Sequence, residues 1–259
     1  MIINNNLLKA ERLEKIRNFV NVQGRATVPE LSELFDVSEA TIRRDLEELD
    51  GRGLIQRTHG GAVKGDGASE ELPMMQRVGE NKDAKVRIGR AAISMINNGD
   101  TIFLGSGTTV IEVANHLPED INLTVITNSL PVVNALAHHP GIELIVIGGV
   151  LRQSELSMVG HVAEQAVREF RADKVFMGMF AVDAGCGFTN DYPAEIMTDR
   201  AVLSIAPKVI VLVDHSKFGR VSSTLVAPVT AANTIITDIE TPEPIIQEFR
   251  ELGIEVILT

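Results

Sequence analysis

The chain has no tryptophan, one tyrosine and one cysteine among 259 residues, and its 24 Lys and Arg are outnumbered by 35 Asp and Glu, for a formal net charge of −11. Each shortage excludes something. With no Trp and a single Tyr there are few ring platforms on which successive bases could stack, which argues against a single-strand nucleic-acid binder. The lone Cys186 cannot close an internal disulfide, in keeping with a reducing compartment, and glycines at 185 and 187 place it in a turn as an inert thiol. No run of about 18 apolar residues occurs, and the opening Met-Ile-Ile-Asn-Asn-Asn lacks the basic flank and apolar stretch of an export signal. The expectation is a cytoplasmic protein with no membrane partner. The acidic balance also repels DNA at large, which tells against a nucleoid coat protein.

What is present is sharply patterned at the front of the chain. Thr27 precedes a helix with Pro29 in its first turn and Glu30 three residues on, the residues of a capping box, and Leu31, Leu34 and Phe35 share one face. Ser38 caps a second segment in which Ile42, Leu46 and Leu49 recur at helical spacing, with Gly53 as a left-handed stop. Leu13, Ile16, Phe19 and Val20 mark an amphipathic helix upstream, and 54–62 reads as a hairpin ending in Gly60-Gly61. Two short helices, a tight turn and a hairpin are the pattern of a winged helix-turn-helix, which reads duplex DNA with the N-terminal half of its second helix. On that helix Ser38, Thr41, Arg43, Arg44 and Asp45 lie off the apolar stripe, and Arg57 and His59 fall near the wing tip. From about residue 8 to 63 the ordered set, with its Ser-x-x-Thr-Ile-Arg-Arg-Asp-Leu and Arg-x-His-Gly-Gly, resembles the DNA-binding half of the DeoR family of bacterial transcriptional regulators.

Residues 1–60 carry nine Lys or Arg and ten Asp or Glu, so the acidity resides almost wholly in the remainder, with 15 and 25. DNA contact then requires a local patch presented by more than one copy, and a homo-oligomer, dimer or tetramer, is expected. The boundaries expected are a winged unit over 1–63, a polar, glycine-rich linker over 64–80 and a larger unit over 81–259. From Asn81 onward, helices alternate with short apolar strands at 101–104, 123–127, 142–147, 174–177, 209–213, 234–237 and 254–258. Strands without alternation between helices imply an α/β fold, a mostly parallel, Rossmann-like sheet covered on both faces, whose ligand lies beyond the carboxyl ends of the strands. Gly105-Ser106-Gly107-Thr108-Thr109 follows one strand and opens a helix expected over 108–117, where amides and hydroxyls can cradle an anion. Thr127-Asn128-Ser129, Gly148-Gly149 with Arg152, and Asp214-His215-Ser216-Lys217 end three others.

The second unit resembles the sensor domain of DeoR-type regulators, similar in fold to ribose-5-phosphate isomerases and the coenzyme A transferase group. The matching stretches are Gly-Ser-Gly-Thr-Thr, Thr-Asn-Ser-Leu, Gly-Gly-x-x-Arg, Ala-Asp-Lys-Val-Phe-Met-Gly and Asp-His-Ser-Lys-Phe-Gly-Arg. The resemblance implies that Gly105, Ser106, Gly107, Thr108 and Thr109 hold the phosphate of a phosphorylated-sugar effector. It further implies that Asn128, Gly149, Arg152, Glu195 and Lys217 surround the sugar, with Asp214 orienting Lys217. Two departures stand out: family members mostly have Asp where this chain has Gly105, and a small polar residue and Gly where it has Phe180 and Ala181. Taken together, the expectation is an effector-controlled regulator, a repressor of a carbohydrate-catabolism operon binding double-stranded operator DNA, with no cofactor or metal. The alternative is a sugar-phosphate isomerase-like enzyme fused to a DNA reader, with Glu195 as base and Lys217 on substrate.

Overall fold

The computed structural model describes residues 9–51, 55–58, 60–63 and 72–259. Backbone contacts divide the chain into two units, Met1–Glu71 and Leu72–Thr259.

The first unit runs α1 (Lys9–Gln23), β1 (Arg25–Thr27), α2 (Val28–Phe35), α3 (Glu39–Gly51), β2 (Gln56–Thr58) and β3 (Gly61–Val63). The expected capping box is formed: the Glu30 amide donates to Thr27 Oγ1 and the Thr27 amide to Glu30 Oε2, each at 3.3 Å. Asp36 ends α2 in the left-handed region at φ 51°, and Ser38 starts α3 by accepting from the Thr41 amide at 3.3 Å. Leu13, Ile16, Val20, Leu31, Phe35, Ile42, Leu46 and Leu49 form one core, so all three helices bury the stripe that their spacing marks. The wing differs from the expected hairpin by one strand. Arg25–Thr27 joins it as β1, giving the antiparallel order β1-β3-β2 with Thr27 opposite Gly61. Gly61 is the contact that permits this, because a Cβ there would sit 2.1 Å from the Ala26 carbonyl oxygen.

The second unit opens with α4 (Met74–Arg77) and α5 (Lys82–Ile93), then β4 (Thr101–Leu104), α6 (Val110–Asn115), β5 (Leu123–Thr127), α7 (Leu130–Leu136) and β6 (Ile142–Val146). A hairpin of β7 (Val150–Arg152) and β8 (Ser157–Val159) precedes α8 (His161–Arg168), β9 (Lys174–Met177), β10 (Ala181–Asp183), β11 (Gly187–Asn190) and α9 (Pro193–Leu203). The chain closes with β12 (Lys208–Leu212), β13 (Thr224–Ala227), β14 (Thr234–Thr237), α10 (Glu243–Glu251) and β15 (Glu255–Leu258). Seven strands pair in parallel in the order β15-β14-β12-β9-β4-β5-β6. Alternate residues feed two cores. Ile102, Leu104, Phe176, Ile210 and Ile236 pack toward α5, α6 and α7, while Phe103, Val175, Val211 and Ile235 pack toward α8, α9 and α10. Most residues of the central strands are buried and apolar, so no strict alternation shows in sequence.

Two expectations fail here. Residues 72–80 are not linker but part of the second unit: Met74 is buried, its amide donates to the Ser154 carbonyl at 2.7 Å, and Arg77 is buried with it. The polar composition that reads as linker ends at Glu71, and Leu72, Met74 and Met75 follow. The helix expected over 108–117 is shorter, Val110–Asn115, so Thr108 and Thr109 lie in the turn before it.

Candidate functional site

On the first unit the exposed face of α3 carries Ser38, Arg43 and Arg44, with Thr41 half-buried beside them, and Arg57 projects from β2. The Ser38 and Thr41 hydroxyls are 2.9 Å apart. Arg43 pairs with Glu39 at 2.8 Å and Arg57 with Glu47 at 3.1 Å, while Arg44 has no ion pair among the described residues. Such exposed pairs are worth little in water, so both guanidinium groups can be handed to phosphate at small cost. Asp45, expected on this face, is instead buried and takes two hydrogen bonds from Arg12, at 2.6 and 3.3 Å. It lies three residues after Ile42 and shares that helix's inward arc. His59 lies outside the described residues.

In the second unit the sheet's chain order reverses between β4 and β9: β5 and β6 step outward on one side, and the chain then returns to lay β9 against the other. A reversal of this kind opens a crevice at the carboxyl ends of the two strands. The Gly105 amide donates to the Phe176 carbonyl at 2.9 Å, and the loop turns at Gly107, φ 117°, with Thr108 and Thr109 buried. A Cβ on Gly178 would lie 3.6 Å from the Ser106 carbonyl oxygen and 3.8 Å from that of Leu212, so the ends of β4, β9 and β12 converge there. Leu104 is in register with Thr127, which puts Asn128 beside Gly105. Asn128 and Met158 exchange hydrogen bonds of 2.7 and 2.9 Å, tying the β7–β8 hairpin to the same edge. Asn128 Oδ1 is buried and finds no donor among the described residues.

Around the β12 end a charged cluster gathers that the sequence reading only half anticipates. Asp214 is 2% exposed; it accepts from Asn81 Nδ2 at 2.9 Å and from the Ser216 amide at 3.0 Å. Burial alone would raise its pKa, but the Ser216 hydrogen bonds, the Lys217 charge and Asn81 outweigh it and hold the carboxyl below its ordinary value. Lys217 follows in the same 3-10 turn with its ammonium 5.8 Å from the Phe180 ring centroid, within cation–π range. Asp214 therefore positions Lys217 through the backbone turn, the Lys217 amide donating to the Asp214 carbonyl at 3.1 Å. Lys85 completes the group from α5: it is 4% exposed and donates to the Arg77 carbonyl at 2.8 Å. Its pKa is lowered by burial first, with the Lys217 and Arg77 charges adding and those of Asp214 and Glu80 opposing. The sequence reading missed Lys85, although Ala84, Ile88 and Ala92 mark the buried arc of α5 and Lys85 falls inside it. A lysine within an apolar arc is the signal that could have found it.

Arg152 and Glu195, expected to line the sugar, are joined to each other in an ion pair. Arg152 also donates to Ser154 Oγ at 3.1 Å and lies 4.3 Å over the Tyr192 ring, while Glu195 accepts from Asn190 Nδ2 at 2.8 Å. One turn along α9, burial pushes the Asp199 carboxyl well up, with the Glu195 charge adding and Arg152 opposing. Gly149 owes its identity to packing: a Cβ there would come within 2.8 Å of the Val159 carbonyl oxygen. The hairpin that carries Arg152 is reached from the lysine cluster through Glu155, which pairs with Arg77 at 2.5 Å.

Fold and site thus define a class: a winged DNA-reading unit joined to an α/β unit with a charged cluster at its switch point. Residues 12–66 match the DeoR-like helix-turn-helix domain and residues 80–239 the DeoR C terminal sensor domain. Transcriptional repressor AccR of Agrobacterium fabrum is 35% identical over 88% of this chain and 89% of its own length. The glycerol-3-phosphate regulon repressor of Escherichia coli K12 is 34% identical over 96% of this chain and 99% of its own. The chain belongs to the DeoR family of transcriptional regulators. Ribose 5-phosphate isomerase A from Methanocaldococcus jannaschii aligns with 54% of this chain and 55% of its own at 20% identity and a TM-score of 0.40. No helix among the described residues is long and apolar enough to cross a membrane.

Proposed function

We propose that the chain represses a carbohydrate-catabolism operon, binding double-stranded operator DNA as a homo-oligomer through Arg44, Arg43, Arg57 and the Ser38/Thr41 end of α3. A phosphorylated sugar or similar anionic catabolite binds at the switch point and lowers operator affinity. The observation that carries the reading is the buried Lys85 on α5, tied to the Arg77 carbonyl and within reach of the Lys217 and Asp214 charges, with Asn81 at the start of the same helix bonded to Asp214 at the β12 end. Burial disfavours the charged form of Lys85, Asp214 and Glu80 offset this only in part, and an arriving anion would offset it further. Ser106 to Thr109 and the orphan Asn128 acceptor supply polar groups for the remainder of the ligand, its hydroxyls donating to Asn128 Oδ1. The relative named for a glycerol-3-phosphate regulon supports the ligand class.

The isomerase reading is weaker on geometry. A base must reach the proton it removes, and Glu195 is engaged by Arg152 and Asn190. Titration of the purified chain with a panel of sugar phosphates decides between the two. Saturable heat without turnover, together with loss of operator binding, supports the regulator. Product formation supports the enzyme, and no binding by any member removes the proposed ligand class.

A further inference from the structure

We infer that residues 72–80 are the sensor's transmission segment: an anion at the switch point draws the Lys85 ammonium away from the Arg77 carbonyl and loosens the strap by which this unit meets the chain leading from the winged unit. The inference rests on the reading of the switch-point cluster as the effector site.

Several of the segment's hydrogen bonds bear on that cluster. Its Met74 amide donates to the Ser154 carbonyl at 2.7 Å, and Arg77 Nε donates back to the Leu72 carbonyl at 2.7 Å. The Arg77 guanidinium pairs with buried Glu155 in the hairpin whose Arg152 meets Glu195. The Arg77 carbonyl accepts twice, from Lys85 Nζ at 2.8 Å and from the Glu80 amide at 3.1 Å. That double acceptance makes the exchange inexpensive. When Lys85 turns to an anion, the carbonyl keeps Glu80 and is not orphaned, while the ammonium trades a neutral acceptor for a charged one. At the joint between the strap and α5, Asn81 stands in the left-handed region at φ 48° and spends its side chain on Asp214 rather than on capping the helix. A ligand at Lys217 and Asp214 therefore touches the joint as well as the tie.

The sequence position matters as much as the contacts. These are the first residues of the second unit, and the chain before them leads to the winged unit, so in this proposal a change in them is passed on along the chain. Coupling of this type needs only that the ligand favour the loosened strap over the tied one.

The test uses the full-length chain, inorganic phosphate as probe, and a duplex selected by the wild-type protein from a random pool. Amide exchange at Met74, Gln76 and Glu80 should speed at least tenfold at saturating phosphate. Arg77→Met/Glu155→Leu, which removes both buried charges together and with them the hydrogen bond to the Leu72 carbonyl, should show that speed without phosphate. It should also bind the selected duplex with the affinity that wild type shows when phosphate is bound. Lys85→Met should lose phosphate binding by calorimetry. Phosphate uptake with unchanged exchange in the strap overturns the transmission and leaves the site standing. No phosphate uptake by the wild type, or full uptake by Lys85→Met, overturns the site reading and the inference with it.

Discussion

Asp45→Ala should loosen the reading unit without removing a DNA contact, and Arg44→Ala, one residue away, should do the reverse. The Asp45 side chain is 2% exposed and the Arg12 side chain 13%, and two hydrogen bonds join them across α1 and α3. Removing one partner of a fully buried pair costs about 3–5 kcal/mol, because the other charge is left unmatched. Arg12 retains a route to water, which lowers the cost to about 2–3 kcal/mol. At ~1.4 kcal/mol per decade, that is a rise of ~30- to 150-fold in the open population of this unit. Exchange of α3 amides in the full-length chain reads that factor directly. Arg44 is exposed and has no ion pair among the described residues, so its loss should leave exchange unchanged within about threefold. It should weaken binding of the selected duplex by ~1–3 kcal/mol per copy. If Asp45→Ala exchanges like wild type, or Arg44→Ala binds DNA like wild type, the orientation of α3 argued above is wrong.

The remaining expectations concern the sensor and assembly. Unfolded, Lys85 keeps its proton up to the ordinary 10.5; folded, burial makes it release the proton earlier, so between the two values the unfolded state binds more protons and stability rises with pH. Thermal melts of wild type against Lys85→Met from neutral to alkaline pH should show that difference, together with weakening anion affinity over the same window. Equal pH slopes in the two proteins would refute it. Thr108→Glu puts a buried carboxylate in the loop that receives the anion, so calorimetry should find effector binding lost while the selected duplex is still bound. Lys217→Ala removes one charge-assisted contact worth ~1.5–3 kcal/mol, a loss of roughly 10- to 150-fold in effector affinity. Sedimentation should show at least a dimer at micromolar concentration, and a monomer with full operator affinity would contradict the oligomeric reading.

Local rules made much of this legible in advance. Thr27 with Glu30, Ser38, and the Ile42/Leu46/Leu49 spacing specify the reading unit because caps and helical stripes act within one or two turns. The seven strands of the parallel sheet are visible as apolar runs for the same reason. What escaped depends on distance along the chain. The β7–β8 hairpin and the β10-β11-β13 sheet are built from strands of three or four residues, with Gly187 and Asn190 among them. Their pairing partners lie up to dozens of residues away, and strands so short carry no periodicity. Asp45 reads as a polar residue beside Arg43 and Arg44 until Arg12 is brought against it from α1, 33 positions earlier. Arg77 with Glu155 is the same case over 78 positions.

Positions 105 and 180, where the sequence reading finds departures from the DeoR pattern, lie at the end of β4 and beside Lys217. At Gly105 a Cβ would stand 3.3 Å from Met177 Cβ, so a larger residue requires the methionine to give way. Without that residue the loop presents backbone and hydroxyls and no carboxylate, which removes a repulsive charge from the place where an anion is expected. The Phe180 ring centroid lies 5.8 Å from the Lys217 ammonium, within cation–π range. If the proposed site holds, the charged group of the ligand should meet the loop from Gly105 to Thr109 and its body should lie beside Lys217 and Phe180. Phe180→Ala should then change the ranking of sugar phosphates in calorimetry while leaving inorganic phosphate binding as in the wild type, and an unchanged ranking would refute that arrangement.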